Sequence, residues 1–165
     1  CMVTSKIFEP ACCFMTEKIE ERVKVARENG GDFVFNPLRE DVVKEILSRK
    51  PLGMDAVFEC AGQPETINQA LEILKPGGRL ILVGIPDEEN VTFNMDKLRR
   101  KEIRVVNIRR QNRSTKECID LYISGRINAD FMITHRFGLE EVQQAFDLVA
   151  DYRDGVVKAI IEMNK

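Results

Sequence analysis

The stretch Ala56-Val-Phe-Glu-Cys60, followed by Ile67, Ala70, Leu71 and Leu74 at helical spacing and then by Arg79-Leu-Ile-Leu-Val83, decides the fold. It reads as strand, helix, strand, with Pro76-Gly77-Gly78 as the turn into the second strand. The strands are apolar in runs instead of at every second residue, the pattern of a parallel sheet covered by helices on both faces.

The same rhythm extends outward in both directions. Upstream, Val42, Val43, Ile46 and Leu47 mark a helix, and Phe33-Val34-Phe35 a strand closed by Asn36-Pro37. Before that, Thr16–Asn29 is a helix carrying Ile19, Val23 and Ala26 and ended by Gly30-Gly31, and Cys12–Met15 is a short strand. Downstream, a polar loop from Pro86 to Asn90 leads to a strand over Ile103–Ile108. Ser114-Thr-Lys-Glu117 is a capping box for a helix ending at Gly125, Glu140–Ala150 is the last helix, and Val156–Met163 is a strand able to pair outside the main sheet. The expected fold is a doubly wound parallel α/β sheet, with no repeat, low-complexity tract or linker dividing it.

Composition narrows the function classes. The chain has 165 residues, 44% of them apolar, and a formal charge of −2, so neither nucleic acid nor an anionic membrane is an expected partner. No apolar run is long enough to span a bilayer. Cys1, Cys12, Cys13, Cys60 and Cys118 are an odd, irregular set, which predicts reduced thiols and a cytoplasmic location. Cys12 and Cys13 read as strand residues in preference to a redox or metal pair, and the single histidine, His135, reads as a structural hydrogen-bonding residue in a short polar turn. No metal site and no catalytic residue is expected within the chain.

In a doubly wound sheet, ligands bind beyond the carboxyl ends of the strands. Thr16-Glu17, Cys60-Ala61-Gly62 and Val83-Gly84-Ile85 occupy such positions. Glu17 can accept both hydroxyls of an adenosine ribose and repel a 2′-phosphate, favouring NAD over NADP; it can equally complement the dipole of the following helix. Gly62 and Gly84 would let the backbone approach a flat ring, or simply make turns. Arg109 and Arg110 read as a solvated turn on spacing alone.

Asp55-Ala-Val-Phe-Glu-Cys-Ala-Gly62, Leu74-Lys-Pro-Gly-Gly-Arg-Leu-Ile-Leu-Val-Gly84 and Thr134-His-Arg-Phe137 occur in the order and spacing of the medium-chain dehydrogenases. The chain resembles their zinc-type alcohol dehydrogenases, and the sorbitol and polyol dehydrogenases in particular, from about Thr16 to its end. The resemblance implies a Rossmann-like domain acting with NAD on a secondary alcohol or polyol, in a homo-oligomer. It implies that Glu17 holds the adenosine ribose, that Arg22 lies against the adenine, and that Cys60, Ala61 and Gly62 border the cofactor. Val83, Gly84 and Ile85 would line the nicotinamide pocket, and Arg109 would approach cofactor and substrate.

Against the family pattern, the sequence contains no G-x-G-x-x-G turn, no strand of the family's sequence ahead of Cys12, and no counterparts of the zinc ligands. The expectation is therefore a C-terminal portion: residues 1–130 form a partial dinucleotide-binding domain, and residues 131–165 a helix and strand that return to a catalytic domain. Such a chain is expected to be inactive alone. The central position of the first strand in the order 3-2-1-4-5-6 suggests that Met2–Phe8 fills its slot as a strand, with Glu9-Pro10-Ala11 as the connection. Two other readings are a non-catalytic nucleotide-binding or oligomerisation module and a zinc-free quinone-oxidoreductase relative, which Glu17 disfavours.

Overall fold

The structure, a computed structural model, describes residues 1–163. Helices and strands alternate along it, and all seven strands among the described residues pair in parallel, in three sheets. β1 (Phe14–Thr16) pairs with β2 (Phe33–Phe35). β3 (Met54–Glu59), β4 (Leu74–Leu82) and β5 (Arg104–Asn107) pair in that order, and β6 (Ile133–Gly138) pairs with β7 (Lys158–Glu162). The α/β class with parallel strands is the one the apolar runs imply. The chain forms two compact units, one from residues 41–115 and one from residues 1–40 together with the chain from residue 116 onward. Among the described residues no helix is long and apolar enough to cross a membrane.

In the unit of residues 41–115, the Asp41 carboxylate caps α3 (Val42–Arg49) by accepting from the Lys44 amide at 3.1 Å. Pro64 opens α4 (Pro64–Ile73), where its missing N–H costs nothing. Helical spacing turns Ile67, Ala70 and Leu71 of α4 onto Leu74, Leu80 and Ile103, and these six residues are the core of the unit. Burying Leu71, Leu74 and Leu80 contributes about 1.5–3 kcal/mol each. Pro76-Gly77-Gly78, expected as a turn before the strand, instead forms a bulge inside it. Met54 pairs with Leu74 and Ala56 with Arg79, so two steps on β3 span five on β4. A short helix, α5 (Met95–Arg100), was not expected; Asn94 caps it by accepting from the Lys97 amide at 3.0 Å.

In the other unit, Met2–Phe8 does not form the expected strand. It is a helical turn, α1 (Met2–Ser5), continued as a 3₁₀ turn over Lys6–Phe8. Local bonds satisfy it: the Ser5 amide donates to the Cys1 carbonyl at 2.8 Å and the Ser5 hydroxyl to the Met2 carbonyl at 2.7 Å. Met2 packs on Val23, Ala26 and Val34, the small core beneath α2 (Glu20–Glu28), which starts later than Thr16. β1 thus pairs only with β2 among the described residues, and β3 only with β4. The segment Thr134–Phe137 is no polar turn but lies within β6, parallel to β7, with α6 (Thr115–Ile123) before it and α7 (Val142–Ala150) after it.

Candidate cofactor site at the strand ends

Parallel pairing brings the carboxyl ends of three strands level. Glu59 of β3 lies opposite Leu82 of β4, and Leu82 lies opposite Asn107 of β5. The ladder continues one step further, with the Val83 and Gly84 amides donating to the Glu59 carbonyl at 2.8 and 2.9 Å and the Ile108 amide to the Leu82 carbonyl at 2.9 Å. Cys60, Ala61, Gly62, Val83, Gly84, Ile85 and Arg109 therefore leave the same edge of one sheet, seven of the candidate residues in one place.

Two glycines make the close approach possible. Gly62 has a φ of 70°, the left-handed region that disfavours a side chain, and a Cβ there would stand 2.5 Å from the Ile85 carbonyl oxygen. A Cβ on Gly84 would overlap the Gly62 amide and stand 2.7 Å from Glu59 Oε2. The two loops touch backbone to backbone, leaving Ala61 and Ile85 exposed on their outer side.

Glu59, to which sequence reasoning assigned no role, organises this junction. It is 4% exposed, and its Oε1 accepts from the Ala61 amide at 2.8 Å and the Gly62 amide at 2.9 Å. The Thr66 hydroxyl lies 2.7 Å from the same oxygen and 2.8 Å from the Gln63 carbonyl, its one proton serving both. Oε2 is buried without a hydrogen bond, against Gly84. A charged residue directly after the apolar run Ala56-Val57-Phe58 was the available signal, because burying a carboxylate costs several kcal/mol unless specific donors meet it. Although Cys60 is exposed at the surface, desolvation by the chain around it, foremost, and the adjacent Glu59 carboxylate raise the pKa of its thiol.

The other candidates lie in the second unit. Glu17 follows β1, its amide donating to the Phe35 carbonyl at 3.0 Å, and its Oε1 accepts from the Ile19 amide at 3.0 Å just ahead of α2. Arg22, on α2, donates through Nε at 2.8 Å and through Nη2 to the Val156 carbonyl, and its guanidinium lies 5.2 Å from the centre of the Tyr152 ring. Arg109 is exposed in the turn after β5, followed by Arg110 at a φ of 50°. His135 is bonded to Thr134 Oγ1 at 2.9 Å and Asp154 Oδ2 at 3.2 Å.

Glycine backbone at Gly62 and Gly84 and apolar side chains at Val83 and Ile85 fit the face of a flat heteroaromatic ring. A zinc ion does not fit: among the described residues no three His, Cys, Asp or Glu side chains come together as ligands.

The profile of the zinc-binding dehydrogenases matches residues 11–124. The chain is 24% identical over 165 residues to a sorbitol dehydrogenase of Bacillus subtilis, covering 99% of this chain and 47% of that protein. It is 31% identical over 147 residues to an L-threonine 3-dehydrogenase of Thermococcus kodakarensis, covering 87% and 42%. Among solved structures, a protein assigned as a zinc-binding dehydrogenase from Sinorhizobium meliloti, bound to NADP, superposes with a TM-score of 0.88 at 26% identity, covering 98% of this chain and 48% of that one. The chain spans less than half the length of these relatives. With residues 11–124 matched, the chain belongs to the zinc-binding dehydrogenase family.

Proposed function

We propose that this chain is the cofactor-binding, C-terminal portion of an NAD-dependent dehydrogenase acting on a secondary alcohol or polyol. The observation that supports it is the convergence of Cys60–Gly62, Val83–Ile85 and Arg109 at the carboxyl edge of β3, β4 and β5. In this reading the backbone and side chains of residues 83–85 hold the nicotinamide ring against the Ala61-Gly62 turn. Arg109 lies at the substrate side, where a guanidinium orients a hydroxyl or a phosphate oxygen. A bound nicotinamide would supply the hydride acceptor for oxidation of the alcohol. Residues 131–165 would return the chain to a catalytic half, which turnover would require.

Glu17 supports NAD over NADP. A carboxylate has about four acceptor directions, so the bond from Ile19 leaves capacity for a ribose diol, and its charge opposes a 2′-phosphate. Arg22 would reach the adenine by exchanging its bond to Val156. The S. meliloti relative was solved with NADP, so the choice of cofactor needs its own test. Calorimetry on the chain should give a Kd for NADH at least about tenfold below that for NADPH, a gap narrowed by Glu17→Ala. Equal affinities in the unsubstituted chain would reject the NAD assignment.

A further inference from the structure

We infer that Glu59 is the positioning residue of this candidate cofactor site: its carboxylate sets the Ala61-Gly62 turn and, through the backbone contact of Gly62 with Ile85, the spacing of the two loops that would receive the nicotinamide. The inference rests on the cofactor reading above. Its basis is the asymmetry of the side chain. One oxygen takes three donors, two of them the amides of the turn itself, while the other is buried without a partner beside Gly84.

A side chain needed only for packing would be apolar here, since the neighbouring strand positions are apolar and a buried, half-satisfied carboxylate is costly. Glu59 instead replaces the hydrogen bonds that the Ala61 and Gly62 amides would lose as the chain leaves the sheet. It holds Gly62 in its left-handed conformation at the one place where the Gly62 and Ile85 backbones meet. An acceptor at Oε1 is the essential property, so glutamine should substitute and alanine should not.

The test compares the unsubstituted chain with Glu59→Ala, Glu59→Gln and Thr66→Val, titrating NADH and ADP-ribose separately and following amide hydrogen exchange at Ala61 and Gly62. Glu59→Ala should weaken NADH about tenfold while ADP-ribose, which lacks the nicotinamide, changes less than about twofold. Glu59→Gln should stay within about threefold for NADH, and Thr66→Val, the milder lesion should Glu59→Ala not fold, should weaken NADH by about threefold. Exchange at both amides should accelerate in Glu59→Ala and stay slow in Glu59→Gln. Equal weakening of both ligands, unchanged NADH binding, or a glutamine variant as impaired as alanine would overturn the inference. If the unsubstituted chain binds neither ligand, the cofactor reading falls; exchange that accelerates only in Glu59→Ala then still supports the role of Glu59 in setting the turn, and unchanged exchange overturns it.

Discussion

Gly84 and Gly62 meet backbone to backbone, with no space between them for a methyl group. Gly84→Ala forces the Gly62 backbone to move, and with it the Glu59 carboxylate, whose other oxygen is held by the Ala61 and Gly62 amides. The expected cost is about 1–3 kcal/mol of stability, with loss of NADH binding, measurable by urea unfolding and calorimetry. A variant as stable as the unsubstituted chain would show that the loops are looser than their contact implies.

Lys101 closes the C-terminal end of α4. Its ammonium donates to the carbonyls of Leu71, Glu72 and Leu74 at 2.9, 2.7 and 2.8 Å, while burial, with Lys97 nearby, lowers its pKa. Lys101→Met keeps the aliphatic stem and removes all three donors. It should lower stability by about 1–2 kcal/mol in a urea titration.

Asp32 ties the 3₁₀ turn at Lys6 to Cys13, the residue directly ahead of β1. Its Oδ2 accepts from the Cys13 amide at 2.6 Å, Lys6 bonds both oxygens at 3.1 and 3.2 Å, and these contacts, the backbone one foremost, hold its pKa below the ordinary value. The stabilisation is present above the unfolded-state pKa of about 3.9 and is lost as pH falls through the lower folded-state value. Stability measured from pH 5 down to pH 2 should fall less steeply in Asp32→Asn than in the unsubstituted chain. Parallel curves would contradict this.

The core was legible in the sequence because its residues are apolar at fixed periods: Ile67, Ala70 and Leu71 on α4, Leu80 on β4. What escaped depends on partners distant in sequence or on weak local signals. Met2–Phe8 has a strand's composition, but its own i to i+3 and i+4 bonds and the packing of Met2 on Val23 make it helical. In β6, Ile133, His135 and Phe137 alternate as half-buried positions, a period of two hidden by polar letters between them. In α5 the Asn94 cap was the available clue, since only Leu98 joins the core.

At the candidate site the strand-end positions were readable from topology alone, and the parallel register brings seven of them to one edge. The partner of Arg22 was not readable, because Val156 lies 134 residues away. Glu59 stood in view within the quoted motif, yet only the three donors around its Oε1 distinguish an organising carboxylate from a surface one.

The most direct test of the cofactor reading is a titration of the isotopically labelled 165-residue chain with NADH, followed by amide chemical shifts. The largest saturable shifts are expected at Ala61, Gly62, Gly84 and Ile85, with a second group around Glu17. Saturable shifts confined to other surfaces, or none at millimolar NADH, would contradict it.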